Sequence, residues 1–486
     1  MVPSRLPVRF SVPAAVALCA SCSDPPARGA ADAAVDAAVD ATTDAARPSE
    51  DAGVDAGWVP PPVCPPAGAA VTWPFAGIEA FGIARALPDD PDSPVRADVL
   101  ETSAEAGVSS IRADLLWDRI EPERGAFDLS GSDTILADVE SRGLSLLGLL
   151  AYGTSWASAR GEARYPPDDP ADFAAFAGSV AARYVGRIRQ YEVWNEENVG
   201  LRFWPPEPDP AAYAALLGST ADALRDADPD AIVVYGGLFG PGISILDTVV
   251  VPSAASFLGD TLDADPSLGD SFDVLAYHPY RYPFDAPEAA AEGRERLEDS
   301  IASVRGVLSA HGIDRPIWIT EVGWHTSPDA LMRGVTPEDQ ARFLVRGYVI
   351  AFGAGVERVY WYTSRDQDGW QSDQEAAFGW IAEDGTPKPA FYAHRLLVDL
   401  VGDAITVTDL RPEVCVRGEH VYRFDGPSGR TTVAWTPGGE PSETLLEASK
   451  LGAELVRWTG ERAPLEPEGG LYRIELDEDP VFLVER

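Results

Sequence analysis

Residues that bind metals or nucleotides are scarce in this sequence, which has 4 Cys and 5 His among 486 residues. No His-x-x-x-His spacing occurs, and no pairing of cysteines suggests a zinc site. A glycine-rich loop of the kind that holds phosphates is also missing. The acidic stretch at residues 89–92 is interpreted as an exposed loop and not as a calcium site. The sequence therefore predicts no metal and no other cofactor.

Positive charge is also in short supply. The 38 Lys and Arg residues face 78 Asp and Glu residues, which gives a formal net charge of −40 and a pI near 4.3. Such a surface repels the phosphates of nucleic acids and of anionic membranes, so neither is a predicted partner. Hydrophobic residues make up 45% of the chain, which is enough for a substantial core and excludes global disorder.

The apolar stretch near the N-terminus, residues 10–18, is too short to span a bilayer as a helix. Two arginines precede it and small residues follow, which is the pattern of an export signal over residues 1–22. The sequence Cys-Ala-Ser-Cys22 resembles a bacterial lipobox, which would attach a lipid to Cys22, although Cys19 stands where Leu is usual. We therefore expect an exported protein. It is either a cell-surface or periplasmic lipoprotein held by Cys22, or a secreted protein released by ordinary cleavage.

Residues 23–69 are rich in Ala, Asp and Pro and include a near-repeat of Asp-Ala-Ala-Val. The four-residue spacing could suggest a helix, but small and acidic residues leave almost no apolar face to bury. We interpret the segment as a disordered tether that would hold the remainder of the chain away from a cell surface.

After processing, two cysteines remain, Cys64 and Cys415. In an oxidising compartment two remaining cysteines often pair. We predict a disulfide that joins the end of the tether to the C-terminal region. The alternative is two unrelated buried thiols.

Residues 70–398 alternate between short apolar runs and amphipathic stretches, the pattern of β-strands followed by helices. Eight strand–helix repeats favour a closed parallel (β/α)₈ barrel over an open sheet. The predicted strands are residues 76–83, 108–112, 144–150, 190–194, 232–235, 274–277, 317–320 and 356–360. The predicted helices include residues 171–184, 210–225, 287–311 and 337–352.

Residues 399–486 show alternating apolar and polar residues between Gly and Pro turns. This pattern predicts a small antiparallel, β-sandwich-like domain. Such a domain could bind sugar, but bracing the barrel is the more frequent role for an appendage of this kind.

Two glutamates stand where a barrel places its chemistry, at the carboxyl ends of strands. Glu196 follows the fourth predicted strand, and Glu321 follows the seventh. Cleavage of a glycosidic bond needs one carboxyl group to protonate the leaving oxygen and a second to attack or stabilise the sugar. A lone Glu at a strand end is usually a solvated or ion-paired side chain. Two of them on these particular strands favour catalysis.

The surrounding residues resemble a known group of enzymes. Trp194-Asn195-Glu196 resembles the acid/base motif of clan A glycoside hydrolases, and Thr320-Glu321-Val-Gly-Trp resembles their nucleophile motif. With Phe203-Trp204 included, the sequence looks closest to glycoside hydrolase family 39, which contains β-xylosidases and bacterial endo-acting matrix-polysaccharide hydrolases. The resemblance covers about residues 75–398. This chain has Glu197 where the family usually has Pro, which leaves two adjacent candidates for the acid/base.

The resemblance also implies supporting roles for other residues. Arg112 would support the nucleophile, and His278-Pro-Tyr280 resembles the element whose Tyr hydrogen-bonds that group. Trp361 would form the floor under the cleaved sugar, and Asn195 would bond the sugar's 2-hydroxyl. For His278, a purely structural role is the alternative, and for Arg112 an ion pair at the edge of the core.

The resemblance implies a retaining β-glycosidase that hydrolyses a β-linked polysaccharide or oligosaccharide by double displacement. Glu321 would be its nucleophile and Glu196 its acid/base. A transglycosylase with the same site and a non-catalytic glycan-binding surface lipoprotein are the alternatives. The identity of the sugar, and endo or exo action, depend on the barrel loops.

Overall fold

The structure is a computed structural model that describes residues 64–84, 94–200, 202–240, 243–245, 249–281, 284–290, 295–438 and 441–486. The predicted export signal with Cys22, most of the predicted tether and the acidic stretch at residues 89–92 lie outside these residues. Within the described ranges, no helix has both the length and the apolar character needed to cross a membrane.

The described elements alternate as expected through the barrel region and then become all-β. The strands are β1 (Val71–Pro74), β2 (Phe81–Ala84), β3 (Ser110–Leu116), β4 (Ser145–Ala151), β5 (Gln190–Asn195), β6 (Ile232–Phe239), β7 (Ile243–Ile245), β8 (Val249–Val251), β9 (Val274–His278), β10 (Ile317–Val322), β11 (Val356–Tyr362), β12 (Thr406–Asp409), β13 (His420–Gly426), β14 (Gly429–Trp435), β15 (Ser442–Glu447), β16 (Ala453–Arg457), β17 (Arg462–Leu465), β18 (Leu471–Leu476) and β19 (Val481–Glu485). The α-helices are α1 (Pro94–Glu105), α2 (Trp117–Ile120), α3 (Ser130–Glu140), α4 (Pro170–Arg183), α5 (Pro210–Ala227), α6 (Ala254–Ala264), α7 (Leu297–Ala310), α8 (Pro337–Gly353), α9 (Pro389–Val401) and α10 (Arg411–Val414).

Eight parallel strands close into a barrel in the order β2-β3-β4-β5-β6-β9-β10-β11, and β11 pairs with β2 to complete the ring. Each predicted barrel strand corresponds to one of these eight, so the predicted fold class is confirmed. The carboxyl ends of the strands meet at one face of the barrel, which is where such barrels carry their active sites.

The described helices α4, α5 and α8 begin where the sequence supplies a capping side chain followed by proline. The carboxylate of Asp169 accepts a hydrogen bond from the backbone N–H of Ala171 at the start of α4, and Pro170 occupies the first turn. Thr336 and Pro337 form the same arrangement at the start of α8. Both arrangements satisfy a free N–H group of the first turn, and proline needs no partner there.

The predicted starts of the first barrel strand and of the helix at residues 287–311 are wrong. Residues 77–80 of the predicted first strand form a 3₁₀ turn, because Gly77 adopts φ 61° beneath the carbonyl of Gly402 and the strand begins only at Phe81. The predicted helix at residues 287–311 begins at Leu297. The guanidinium of Arg281 donates to the carbonyls of Ala289 and Glu295, so those groups are already bonded by a side chain before the helix starts.

The C-terminal domain consists of a seven-stranded sheet in the order β1-β12-β13-β14-β19-β16-β17 and a two-stranded sheet, β15-β18. Alternating residues of the two sheets share one apolar core, which makes the domain sandwich-like. This core contains Val421, Ala434, Leu446, Ile474, Leu476 and Leu483. The predicted small antiparallel β domain is therefore present.

The predicted domain limits at residues 70 and 398 do not coincide with the ends of the two sheets. Strand Val71–Pro74, which precedes the barrel, pairs with Thr406–Asp409 and so belongs to the C-terminal sheet. The last barrel helix, α9, continues to Val401. The sequence of β1 contains nothing that indicates its partner, because its residues are those of any short strand and the strand it pairs with is more than 300 residues away.

Aromatic rings join the C-terminal sheet to the barrel. Phe75 lies 4.8 Å from Phe352 of α8 and 5.2 Å from Phe424 of β13, measured between ring centroids. Arg342 of α8 also bonds Asp479 in the loop before β19. The ring contacts bury apolar surface between helix α8 of the barrel and the C-terminal sheet, and the ion pair adds a polar link. Both are consistent with a C-terminal domain that braces the barrel.

The predicted disulfide between Cys64 and Cys415 is present and closes a segment of 351 residues. Replacing both cysteines by serine should lower the stability of the folded protein, because the unfolded chain regains the entropy of an open loop. The chain-entropy model gives about 5 to 6 kcal/mol for so long a loop, and measured effects are often smaller. Thermal unfolding of the double variant, compared with the parent with and without reductant, measures this loss. Equal stability in all samples would contradict it.

Candidate active site

Most of the predicted site residues come together at the carboxyl ends of the barrel strands. Arg112 lies in β3, Asn195 ends β5, Glu196 follows it, and His278 ends β9. Glu321 lies in β10, and Tyr280 follows β9 by two residues. All six are buried. Side chains from four barrel strands, β3, β5, β9 and β10, and from the residues that follow them therefore converge on one cluster of charged and polar groups.

Glu321 is held by two donors, one on each carboxylate oxygen. Arg112 Nη1 donates to Oε1 at 2.7 Å, and the Tyr280 hydroxyl donates to Oε2 at 2.8 Å. Burial raises the pKa of Glu321 above its usual value, while the Arg112 charge and the Tyr280 hydrogen bond act against that rise. Arg112 and Tyr280 both favour the ionised carboxylate, but burial outweighs them and the net shift of the pKa is upward.

Arg112 is also bonded to two residues of β5. Its Nε donates to Glu192 Oε2 at 2.7 Å, and its Nη2 donates to Glu192 Oε1 at 2.9 Å and to Asn195 Oδ1 at 2.8 Å. Sequence reasoning missed Glu192. Its signal was available, because Glu192 lies in the middle of an otherwise apolar strand, where a carboxylate needs a charged partner.

Glu196 occupies a bend at the end of β5. Trp194 has φ 72° and Glu196 has φ 49°, both in the left-handed region that side chains other than glycine seldom adopt. The Glu196 N–H donates to the carbonyl of Gly237 at 3.0 Å, which anchors the bend to β6. One carboxylate oxygen of Glu196 lies within 4.8 Å of one oxygen of Glu321.

His278 connects Glu196 with the interior of the barrel. Its Nδ1 lies 3.0 Å from Glu196 Oε1, and its Nε2 lies 2.9 Å from Thr320 Oγ1. Burial and the nearby charge of Arg112 lower the pKa of His278 well below its usual value, so the ring is neutral. Gly237 makes room for this ring, because an added Cβ would lie 2.1 Å from Nε2.

Glu197, the second candidate in the Asn-Glu-Glu run, points away from this cluster. Its Oε2 would lie 2.3 Å from a Cβ on Gly236, and it faces Tyr213 and Tyr235, whose pKa values are raised by burial and then by Glu197. Neither carboxyl oxygen has a hydrogen-bond partner in another described residue. The structure therefore separates the two glutamates and puts only Glu196 beside Glu321.

The isolation of Glu197 predicts a pH-dependent stability. Burial raises the pKa of Glu197 well above the usual 4.5, so the folded protein keeps a proton that the unfolded chain releases. Its stabilising contribution is complete below pH 4.5 and is lost as the pH rises towards the folded-state pKa. Each pH unit within that window costs the folded state about 1.4 kcal/mol.

Glu197→Gln should remove this dependence, since an amide stays neutral at every pH. We expect its melting temperature to fall less than that of the parent between about pH 5 and pH 8. The exposed Glu207 offers a matched control, and Glu207→Gln should behave like the parent. Parallel melting curves for Glu197→Gln and the parent would show that Glu197 is ionised in the folded protein.

Trp361 does not occupy the position predicted for it. Its buried ring stacks on Trp324 at 6.0 Å, and Trp324 contacts Phe343 of α8 at 5.7 Å. Trp361 thus faces the helical layer, because side chains alternate along β11 and its neighbours point inward. Tyr362 instead lies 6.2 Å from the ring of Tyr280, beside Glu321. This packing does not support the predicted role of Trp361 as the floor under the sugar.

One group of atoms in the described residues could hold a metal ion at this site. Single donor atoms of Glu196, His278 and Glu321 lie within 4.8 Å of one another. However, Arg112 and Tyr280 already occupy both oxygens of Glu321, and a guanidinium there repels a cation. This donor set fits acid–base chemistry better than metal binding.

Comparison with known proteins places the fold. No protein family model and no curated protein matches the sequence. Solved structures do match. A family 39 glycoside hydrolase from Bacteroides cellulosilyticus WH2 is similar with a TM-score of 0.66 and 20% identity, over 84% of this chain and 81% of that one. A family 39 β-xylosidase from Caulobacter crescentus gives 0.58 and 18%, over 86% and 98%. A family 39 enzyme from Xanthomonas axonopodis pv. citri gives 0.58 and 15%, over 86% and 95%.

These similarities cover the barrel and the C-terminal domain together. The chain therefore has the fold of clan A glycoside hydrolases, and family 39 structures are among its neighbours, as the motifs around Glu196 and Glu321 indicated. At this level of identity the likeness establishes the architecture. The case for an activity rests on the side chains described above.

Proposed function

We propose that this protein is a retaining β-glycosidase that acts on a β-linked polysaccharide or oligosaccharide. The observation that carries the proposal is the short gap between Glu196 and Glu321, since one carboxyl oxygen of each lies within 4.8 Å of the other. Retaining glycosidases place their two carboxyl groups about 5 to 5.5 Å apart, whereas inverting ones need roughly 6.5 to 9.5 Å to admit a water. The spacing supports direct attack by a carboxylate.

Glu321 has the surroundings of a nucleophile. Attack on the anomeric carbon requires the ionised carboxylate, and burial alone would disfavour that form. The guanidinium of Arg112 and the hydroxyl of Tyr280 supply a charge and a hydrogen bond that stabilise it. When Glu321 attacks, its charge passes into an ester bond to the sugar, and the expelled oxygen needs a proton.

Glu196 lies on the opposite side of the gap and is placed to supply that proton. The described donors of Arg112 go to Glu192, Asn195 and Glu321, whereas Oε1 of Glu196 lies 3.0 Å from His278 Nδ1. After the first step, the same group as a carboxylate can take a proton from water, and the resulting hydroxide equivalent breaks the ester. Two inversions at one carbon give net retention.

Asn195 has the orientation that substrate binding would use. Its Oδ1 accepts from Arg112, which leaves the Nδ2 amide as the outward donor, and Nδ2 has no partner among the described residues. An unpaired buried amide donor costs free energy unless a ligand accepts from it. The 2-hydroxyl of a sugar bound between the two glutamates is such an acceptor, and this contact strengthens in the transition state.

The substrate class is proposed from the neighbours and from the site together. One similar structure is described as a β-xylosidase and another as a glucosidase, so pentosides and hexosides both belong in the first screen.

We also propose that the protein is exported and anchored by a lipid on Cys22 or secreted, which would bring the site to extracellular glycans. Metabolic labelling with a fatty-acid analogue, compared between the parent and Cys22→Ala, tests the anchor.

The decisive experiment for the reaction is the configuration of the first product. Hydrolysis of a β-glycoside by the full chain, followed by proton NMR, should show the β-anomer before mutarotation mixes the two. A first-formed α-anomer would overturn the retaining mechanism. Excess sugar acceptor in the same assay separates hydrolysis from transglycosylation, since only a transglycosylase would convert most of the donor into longer glycosides.

A further inference from the structure

A chain of hydrogen bonds runs from Arg112 through the barrel interior to Glu196. Arg112 binds both oxygens of Glu192, which is therefore ionised. Thr320 Oγ1 donates to Glu192 Oε1 at 3.2 Å, and the same hydroxyl lies 2.9 Å from His278 Nε2. At the far end, His278 Nδ1 lies 3.0 Å from Glu196 Oε1.

Counting protons along this chain determines where each one lies. An ionised carboxylate only accepts, so the single hydrogen of the Thr320 hydroxyl goes to Glu192. The Thr320 oxygen must then accept from His278, which requires the hydrogen on Nε2. A neutral imidazole with Nε2–H has a bare lone pair on Nδ1. Nδ1 can then only accept, so its hydrogen bond with Glu196 forms only if Glu196 carries a proton and donates it.

We propose that Glu192, Thr320 and His278 form a positioning relay that holds His278 as the Nε2–H tautomer and thereby keeps Glu196 protonated before bond cleavage. The inference rests on the proposed function for its catalytic meaning. After Glu196 has given its proton to the leaving oxygen, its carboxylate faces the Nδ1 lone pair. That repulsion makes Glu196 a stronger base towards the incoming water, so one fixed tautomer serves both steps.

Other groups also act on the proton of Glu196 and set the background for its titration. Arg112 from β3 favours the carboxylate, and the carboxylates around it favour the acid form. Glu321 Oε2 lies 3.9 Å from His278 Nδ1, too far for a hydrogen bond. Charged or titratable groups of the described residues surround Glu196 and His278. They are Arg112 and Asp114 in β3, Glu192 in β5, Glu197 after β5, Tyr280 after β9, and Glu321 in β10.

Thr320→Val tests the relay because valine has a similar shape and cannot accept from Nε2. Without that acceptor, His278 can adopt the Nδ1–H tautomer and donate to an ionised Glu196. For aryl β-glycosides with a poor leaving group, we expect the alkaline limb of kcat/KM to move about one pH unit towards acid. A dinitrophenyl glycoside needs no proton, so its profile should move by less than about 0.3 unit. Thr320→Ser keeps the hydroxyl and should restore the parent profile.

A folded Thr320→Val whose alkaline limb stays in place, or moves equally for both leaving groups, would overturn the relay. The second measurement needs no activity and no variant at Thr320. In full-length protein labelled with ¹⁵N-histidine, the signal lost in His278→Asn identifies His278, and its two nitrogen shifts report the tautomer. We expect Nε2–H at neutral pH, and an Nδ1–H signal would contradict the inference. If no glycoside is cleaved, the proposed function fails, while the NMR result still decides the tautomer.

Discussion

Glu321→Ala should lower kcat by roughly 10⁴-fold or more on every substrate, because no ester to the sugar can form without this carboxylate. Added azide should then act as an external nucleophile and give a glycosyl azide of inverted configuration. Steady-state kinetics of the full chain on aryl glycosides measures the loss. Glu321→Gln keeps the size of the side chain and should be equally inactive, which separates the lost nucleophile from a cavity.

A control for nonspecific damage comes from the C-terminal domain. Glu485 is also a buried carboxylate, and it accepts from the backbone of Ser449 and Lys450 far from the site. Glu485→Gln should keep kcat within about twofold even if the protein melts earlier. A Glu321→Ala variant that retains more than about 1% of the parent kcat would remove Glu321 from the role of nucleophile.

Glu196→Ala should have an effect that depends on the leaving group. General acid catalysis contributes about 10² to 10⁴-fold, and this amount should be lost for glycosides whose leaving oxygen needs a proton. Formation of the glycosyl-enzyme from a dinitrophenyl glycoside should be spared, so the intermediate accumulates. Azide should then restore turnover and yield a β-glycosyl azide, because the anion attacks the intermediate without a base.

The neighbouring glutamate supplies a matched control for this result. Glu197 is equally buried but faces Gly236, so Glu197→Ala should keep the parent dependence on leaving group and gain nothing from azide. If Glu197→Ala is rescued by azide and Glu196→Ala is not, the acid/base has been assigned to the wrong member of the pair. The two substitutions remove the same side chain from adjacent buried positions, so a difference between the variants reflects the role of each glutamate.

The sequence by itself determined the barrel and the two central glutamates. Strand–helix alternation is a local pattern of apolar residues, and it predicted all eight barrel strands. The carboxyl ends of parallel strands meet at one face whatever the details of packing, so Glu196 and Glu321 could be brought together without coordinates. The pairing of Cys64 with Cys415 also followed from composition, since exclusion of the N-terminal signal left only these two.

Features that depend on which way a side chain points needed the tertiary structure. One residue of register decides whether Trp361 or Tyr362 faces the barrel interior, and alternation along a strand turns a shift of one residue into the opposite face. The same reason separates Glu196 from Glu197. The roles of Glu192 and Thr320 in the relay likewise depend on contacts between strands. Glu192 of β5 bonds Arg112 of β3, and Thr320 of β10 lies within hydrogen-bond distance of His278 of β9.

Long-range pairing was likewise decided only by the tertiary structure. Strand β1 joins the C-terminal sheet through partners such as Thr72 and Thr408, whose positions differ by 336. The sequence around β1 contains the apolar residues that any short strand would have, and the choice of partner depends on which open sheet edge the folded barrel brings near. Local patterns thus determined the elements and the strand ends, while the proton relay and the domain boundary depended on contacts between distant segments.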